Sequence, residues 1–123
     1  MSFFWVFIGG GIGSLCRYGI SRAVPPNSAT TFPWATFWAN LLACLALGLV
    51  LGWLSKQQVD DKTTIIRSLF VSGFCGGFST FSTFSFESLQ LIKQQQWAIA
   101  AAYIGLSFIL GILLVFVGYL LSK

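Results

Sequence analysis

The sequence predicts an all-α membrane protein of four transmembrane helices, with a break in the third. Three observations carry this expectation. Apolar residues make up 56% of the 123-residue chain and charged residues only 8%, whereas globular chains run at roughly 25% charged. So few charges cannot build a water-facing surface, and lipid must cover most of the molecule. Long apolar stretches follow one another with only short polar connections between them. Near the centre of the third stretch, the pair Gly76-Gly77 precedes a triplet repeat of phenylalanine, serine and threonine.

A helix needs about 20 mostly apolar residues to cross the hydrocarbon core. The first candidate covers about residues 3–23 and is uncharged until Arg17. The second, about 33–54, carries no charge and has Trp34, Trp38 and Trp53 near its ends, where indole rings settle at the membrane interface. The third covers about 64–92 and the fourth about 97–122. Pro25-Pro26 stops the first helix, because neither proline fits a helix interior without breaking its hydrogen bonds. The most polar connection, with Gln57, Gln58, Asp60 and Asp61, joins helices two and three, and Lys93-Gln94-Gln95-Gln96 makes a turn before helix four. These loops leave no room for a soluble domain, so residues 1–123 read as one transmembrane domain.

The net charge of +4 comes from Arg17, Arg22, Lys56, Lys62, Arg67, Lys93 and Lys123, scattered along the chain. Most fall at the ends of apolar stretches, where they anchor helices at the headgroups; no nucleic-acid partner is expected. Counted by side, the basic bias is only about one or two charges. That is too weak to fix an orientation, and insertion both ways, with an antiparallel dimer as its natural product, stays open. The amino terminus has no basic region before its apolar run, so a cleaved signal peptide is not expected.

Enzyme chemistry is poorly provided for. There is no histidine, and Asp60, Asp61 and Glu87 are the only carboxylates. Cys16, Cys44 and Cys75 are odd in number and lie in apolar stretches, which argues against a disulfide framework or an ordinary metal cluster.

The informative segment runs from Gly73 to Glu87. Paired glycines weaken a helix, and where it opens its carbonyls lose their partners in a medium that cannot solvate them. One explanation is a flexible helix whose hydroxyls bond back to their own carbonyls. Another is that the freed carbonyls from Gly76 to Ser79 chelate a small cation, as interrupted transporter helices do with sodium. On a helix the triplet spacing puts Phe81 and Phe84 on neighbouring strips of one face, with Ser82 and Ser85 on an adjoining strip and Thr80 and Thr83 beside it. Phenyl rings are electropositive at their edges, so edges and hydroxyl protons together suit a dehydrated anion; packing alone would also account for the rings. Asn40, deep in helix two, offers either interhelical bonding or two amide donors to an ion path. Arg17 either snorkels to the interface or draws anions into a vestibule. Glycines and alanines in all four helices suit close backbone packing in lipid.

Together these residues resemble the Fluc (CrcB-type) fluoride channel family. Gly9-Gly10-Gly11-Ile12-Gly13-Ser14-Leu15-Cys16-Arg17-Tyr18 is similar to the family's glycine-rich first helix with its arginine, and Ala39-Asn40-Leu41-Leu42 to its second-helix asparagine motif. The run from Gly73 to Ser85 is close to its most specific signature. The resemblance implies a multi-pass protein of the cell (inner or plasma) membrane, built as an antiparallel, dual-topology homodimer with two fluoride pores. It also implies a structural sodium ion (Na+) at the dimer centre, held by backbone carbonyls of Gly76 and Ser79 from both subunits. Phe81 and Phe84 would be the aromatic pair of the pore and Asn40 its amide, with Ser82, Thr83 and Ser85 as hydroxyl contributors and Arg17 in the vestibule. The sequence departs from the family pattern at Ser79, where threonine is common, at Ala43, where glycine is common, and at Gly111, where serine is expected. Tyr103 and Ser107 are then the remaining polar candidates on helix four.

Two other functions fit less well. A small proton-coupled drug exporter also has four helices, but it needs a membrane-embedded carboxylate to exchange protons for cations, and the first helix carries Arg17 instead. A non-transporting assembly subunit would account for the glycine packing but not for a broken, hydroxyl-rich helix. Passive export of fluoride needs no energy-coupling residue.

Overall fold

The computed structural model describes residues 2–24 and 31–123; the turn expected at Pro25-Pro26 lies outside the described residues. Helix α1 (Ser2–Ala23) is followed by α2 (Trp34–Leu54). Helix α3 (Asp61–Ile66) runs directly into a π-helical stretch, Arg67–Cys75, and then a short α4 (Gly76–Phe78). Helices α5 (Phe81–Lys93) and α6 (Trp97–Ser122) complete the chain, and no strand occurs among the described residues. α1, α2 and α6 are each long and apolar enough to cross a membrane.

Local chemistry sets the helix boundaries. Pro33 stands immediately before α2 with φ −81°, a position where its missing N–H costs little because first-turn amides have no helical acceptor. α3 begins at Asp61, earlier than the start near 64 expected from hydropathy. The cause is a reciprocal capping box. The Thr63 N–H donates to the Asp60 carboxylate at 2.8 Å, and the Asp60 N–H donates to the Thr63 hydroxyl oxygen at 2.9 Å. This polar device lies outside the apolar run, so hydropathy does not register it. The Thr63 backbone donor, followed by its hydroxyl, holds the exposed Asp60 carboxyl below the ordinary carboxylate range. After α5 the chain reverses through Gln95, whose φ of 59° is left-handed. The Gln96 N–H reaches the Leu91 carbonyl at 2.9 Å and the Gln95 N–H reaches that of Ile92 at 3.0 Å, a Schellman turn with glutamine where glycine is usual.

α2 is the spine of the packing. It buries Thr36, Phe37, Ala39, Leu41, Ala43, Gly48, Gly52 and Leu54 and stands between two apolar clusters. On one side Phe37 and Leu41 join Phe84 and Leu91 of α5 and Ala100 and Tyr103 of α6. On the other, Ala39 and Ala43 meet Phe78, with Phe74 and Ile20 packed alongside.

Glycines bring backbones into contact in two places. Between α2 and α6, the most extensive helix pair, a Cβ on Gly48 would lie 2.2 Å from the Val115 carbonyl oxygen, and one on Gly118 would lie 2.7 Å from that of Leu45. Between α1 and the π-helical stretch, a Cβ on Gly9 would meet the Leu69 carbonyl at 2.0 Å, and one on Gly13 the Phe74 carbonyl at 2.3 Å. Lipid tails are as apolar as leucine, so close van der Waals contact of this kind must replace the hydrophobic drive between helices. Gly11, Gly19 and Gly105 meet nothing within 4 Å, so only part of the glycine content serves this packing. Large apolar side chains such as Phe3, Phe7, Leu15, Ile112 and Leu121 lie exposed, as a lipid-facing surface requires.

Gly48→Ala presses a methyl group against backbone that has no rotamer to yield, and it is expected to cost about 1–3 kcal/mol. Gly19→Ala is expected to stay within about 0.5 kcal/mol of neutral. Melting temperatures of the two purified variants in detergent check this, and equal values would refute the close α2–α6 approach.

Candidate functional site

The chain leaves helical geometry at Ser79 (φ −81°, ψ 157°) and Thr80 (φ −147°, ψ 113°), and resumes it at Phe81. The sequence places the opening at the glycine pair; the structure places it just beyond. Gly76 is helical (φ −64°, ψ −38°). Gly77 serves packing, since a Cβ there would lie 2.4 Å from the Gly10 carbonyl oxygen. Thr80 is the better terminus because its hydroxyl accepts from the Thr83 N–H at 3.2 Å and caps α5.

Side chains from two other helices stabilise the opening. Asn40 of α2 brackets Thr80: its Oδ1 accepts from the Thr80 N–H at 2.8 Å, and its Nδ2 donates to the Thr80 carbonyl at 3.4 Å. Arg17 of α1 donates from Nε to the Gly77 carbonyl at 3.1 Å. The Cys75 carbonyl accepts from both the N–H and the hydroxyl of Ser79, at 3.0 and 2.9 Å. Among the described residues, the carbonyls of Gly76, Phe78 and Ser79 are left without a hydrogen-bond partner.

A cavity of about 310 Å³ adjoins the opening. Asn40, Ser79, Thr80, Phe81 and Phe84 line it, together with Cys44, Ser107 and Phe108. The Phe81 and Phe84 ring centroids stand 6.1 Å apart. Phe84 is buried against Tyr103, with centroids at 4.9 Å, and meets Phe108 edge-on at 5.8 Å. Phe81 is 74% exposed. The hydroxyl of Ser107 and that of the fully buried Tyr103 have no partner among the described residues.

The structure thus gathers Asn40, Ser79, Phe81 and Phe84 around one space. Ser82 lies outside it, its hydroxyl 3.4 Å from that of Thr80, and Ser85 is exposed elsewhere on α5. Thr83 instead lines a second cavity of about 500 Å³ near the starts of α2 and the end of α1, with Thr36, Glu87 and Gln90. There the Thr36 hydroxyl donates to the Glu87 carboxylate. Arg17 lines neither cavity. Sequence reasoning passed over Cys44, Thr36 and the capping role of Thr80. A threonine or cysteine one turn from Asn40 on the same helix face was the available signal.

No group of three or more His, Cys, Asp or Glu residues able to hold a metal occurs among the described residues. Backbone carbonyls are other possible donors, and those of Gly76, Phe78 and Ser79 have free lone pairs. Apart from its chain neighbours and the backbone of its own helix, nothing among the described residues lies within 4 Å of where a Gly76 side chain would begin, so that flank is open. Free carbonyl oxygens are donors of the kind a hard cation takes, so the residues present fit a cation held by backbone oxygen.

Residues 4–119 match the family described as CrcB-like protein, Camphor Resistance (CrcB). The chain is 39% identical over 120 residues to the fluoride-specific ion channel FluC of Flavobacterium psychrophilum, covering 98% of this chain and 95% of the relative. It is 41% identical over 118 residues to the protein of that name from Phocaeicola vulgatus (96% and 95%), and 40% identical over 121 residues to that of Maridesulfovibrio salexigens (98% and 94%). Matches of this length include the opening at Ser79–Thr80 and both helices that hold it, and the chain belongs to the CrcB-like family.

Proposed function

We propose that this chain forms a passive, fluoride-selective channel in the cell membrane, exporting cytoplasmic fluoride as an antiparallel homodimer with a sodium ion at its centre. The observation that carries this reading is the opening at Ser79–Thr80, bracketed by Asn40 and bordered by Phe81 and Phe84 in one cavity. Relatives named as fluoride-specific ion channels supply the substrate, and a protein of this family is not an enzyme.

The chemistry begins from dehydration. Fluoride holds its water tightly, so a path must replace that water with many weak donors. The Asn40 Nδ2 bond to Thr80 is long at 3.4 Å, which leaves that amide able to turn toward an anion. The edges of the Phe81 and Phe84 rings present partial positive charge. The hydroxyls of Ser79 and Thr80, which line the same cavity, add O–H groups beside the rings, whereas Ser82, Thr83 and Ser85 lie outside it. Uniformly weak donors let an ion enter and also leave, which conduction requires.

The residue pair for the cation is Gly76 and Ser79, through their carbonyls, contributed by both subunits. Sodium bound there would supply positive charge opposite carbonyl dipoles that otherwise cost roughly 2–7 kcal/mol each in an apolar medium. A second copy of the chain also explains Phe81, an apolar ring beside free carbonyls that its own chain leaves 74% exposed. The third crossing of the bilayer is then made by residues 61–93, despite its interruption. Hydrogen fluoride crosses membranes as a neutral molecule and ionises in a less acidic cytoplasm. An inside-negative potential then drives the trapped anion out through a passive path.

Purified protein in liposomes is expected to release fluoride while retaining chloride, read with ion-selective electrodes. Equal leakage of both ions, or of neither, would overturn the reading. Phe81→Ile and Phe84→Ile are expected to cut fluoride throughput at least tenfold while the dimer still elutes intact on size exclusion; a barrier increment of only about 1.4 kcal/mol is enough for that factor. Undiminished flux in both variants would remove the rings from the mechanism.

A further inference from the structure

Arg17 has a place in the fold that a vestibule role does not explain. Gly9, Gly13 and Arg17 follow at intervals of four and form one row along α1. The first two residues of the row lie in backbone contact with Leu69 and Phe74. The third ends the row at the carbonyl end of α4, where Nε donates to the Gly77 oxygen at 3.1 Å. Gly77 is also held against the same helix, because its missing side chain admits the Gly10 backbone. The carbonyl end of a helix carries partial negative charge that a cation stabilises, and a guanidinium is permanently charged with its donors in a rigid plane.

Of the carbonyls from Gly76 to Ser79, Arg17 engages one and leaves its neighbours free. We infer that Arg17 is a positioning residue for the central cation: by holding the Gly77 carbonyl it fixes the peptide plane beside that of Gly76 and one plane removed from that of Ser79, so that both carbonyls stay turned out to receive sodium. This rests on the cation site proposed above. The Nε bond gives the half-buried guanidinium a partner within the fold, and Arg17 borders neither of the two cavities described above.

The two roles predict opposite signs. A fixed positive charge near sodium repels it, so if charge alone mattered, neutral Arg17→Gln would bind sodium more tightly. If Arg17 positions the carbonyls, Arg17→Gln binds sodium more weakly. The test measures the melting temperature of the purified dimer in detergent as sodium chloride replaces choline chloride. For Arg17→Gln the sodium concentration giving half-maximal stabilisation is expected to rise roughly tenfold, the factor for one hydrogen bond from a charged donor. Arg17→Lys keeps the charge but loses the planar fork, and it is expected to restore only part of the affinity. An unchanged or lowered sodium requirement in the glutamine variant overturns the inference. Should that variant not accumulate folded, the lysine variant decides by the same criterion. A wild-type dimer indifferent to sodium would remove the cation site itself and this inference with it. A sodium-responsive wild type matched by an identical variant removes only the role of Arg17.

Discussion

Peptide groups that leave a helix must find partners, and in lipid no water is available to serve. That constraint accounts for the arrangement around Ser79–Thr80. The chain opens there, and each adjoining helix contributes one long polar side chain to the exposed backbone. Asn40 takes both polar groups of Thr80, and Arg17 takes the Gly77 carbonyl. Thr80 and Ser79 satisfy two more groups from within the segment. Every one of these contacts is local to the opening, and together they stop short of satisfying Gly76, Phe78 and Ser79. A fully satisfied opening would be a structural kink. An incompletely satisfied one leaves carbonyl oxygens with lone pairs to offer.

Close packing makes this possible. Asn40 and Arg17 reach their carbonyl and amide targets because α1 and α2 lie against the interrupted helix with glycine or alanine at the contact. Gly9 and Gly13 seat α1 on residues 69–78, and Ala39 and Ala43 seat α2 on Phe78. The α2–α6 contact through Gly48 and Gly118 then fixes the far wall of the cavity, which carries Ser107 and Phe108. Small residues far from the cavity therefore set distances inside it. At this contact Ala43 is buried beside Phe78, so the approach there accommodates a methyl group.

Much of this was legible in the sequence because its dominant signals are compositional. Long apolar runs, tryptophans at their ends and a glycine pair with a hydroxyl repeat all reflect the scarcity of water, which acts on every residue alike. Asn40 and Arg17 stood out as polar groups without an evident solvent. Other features were not legible. The Asp60–Thr63 capping box extended α3 through residues that look like loop on hydropathy. The shift of the opening from Gly76-Gly77 to Ser79–Thr80 depended on Gly10 approaching Gly77, a contact between residues far apart in the chain. The partner of Arg17 was equally invisible, because charge in a first helix says nothing about which carbonyl lies opposite. The separation of Thr83 from Phe81 and Phe84 into another cavity follows from helix rotation that spacing alone leaves free.

The π-helical stretch Arg67–Cys75 carries one further implication, for insertion and deletion. Wide turns of this kind hold more residues per turn than an α-helix, and they tend to occur at functional sites. A wide turn takes up one extra residue while leaving the residues beyond it facing as before. Without a wide turn, the same extra residue would rotate everything after it by about 100°, and Thr80 would face away from Asn40. The widened turns are therefore as much a part of the site as the side chains that border it.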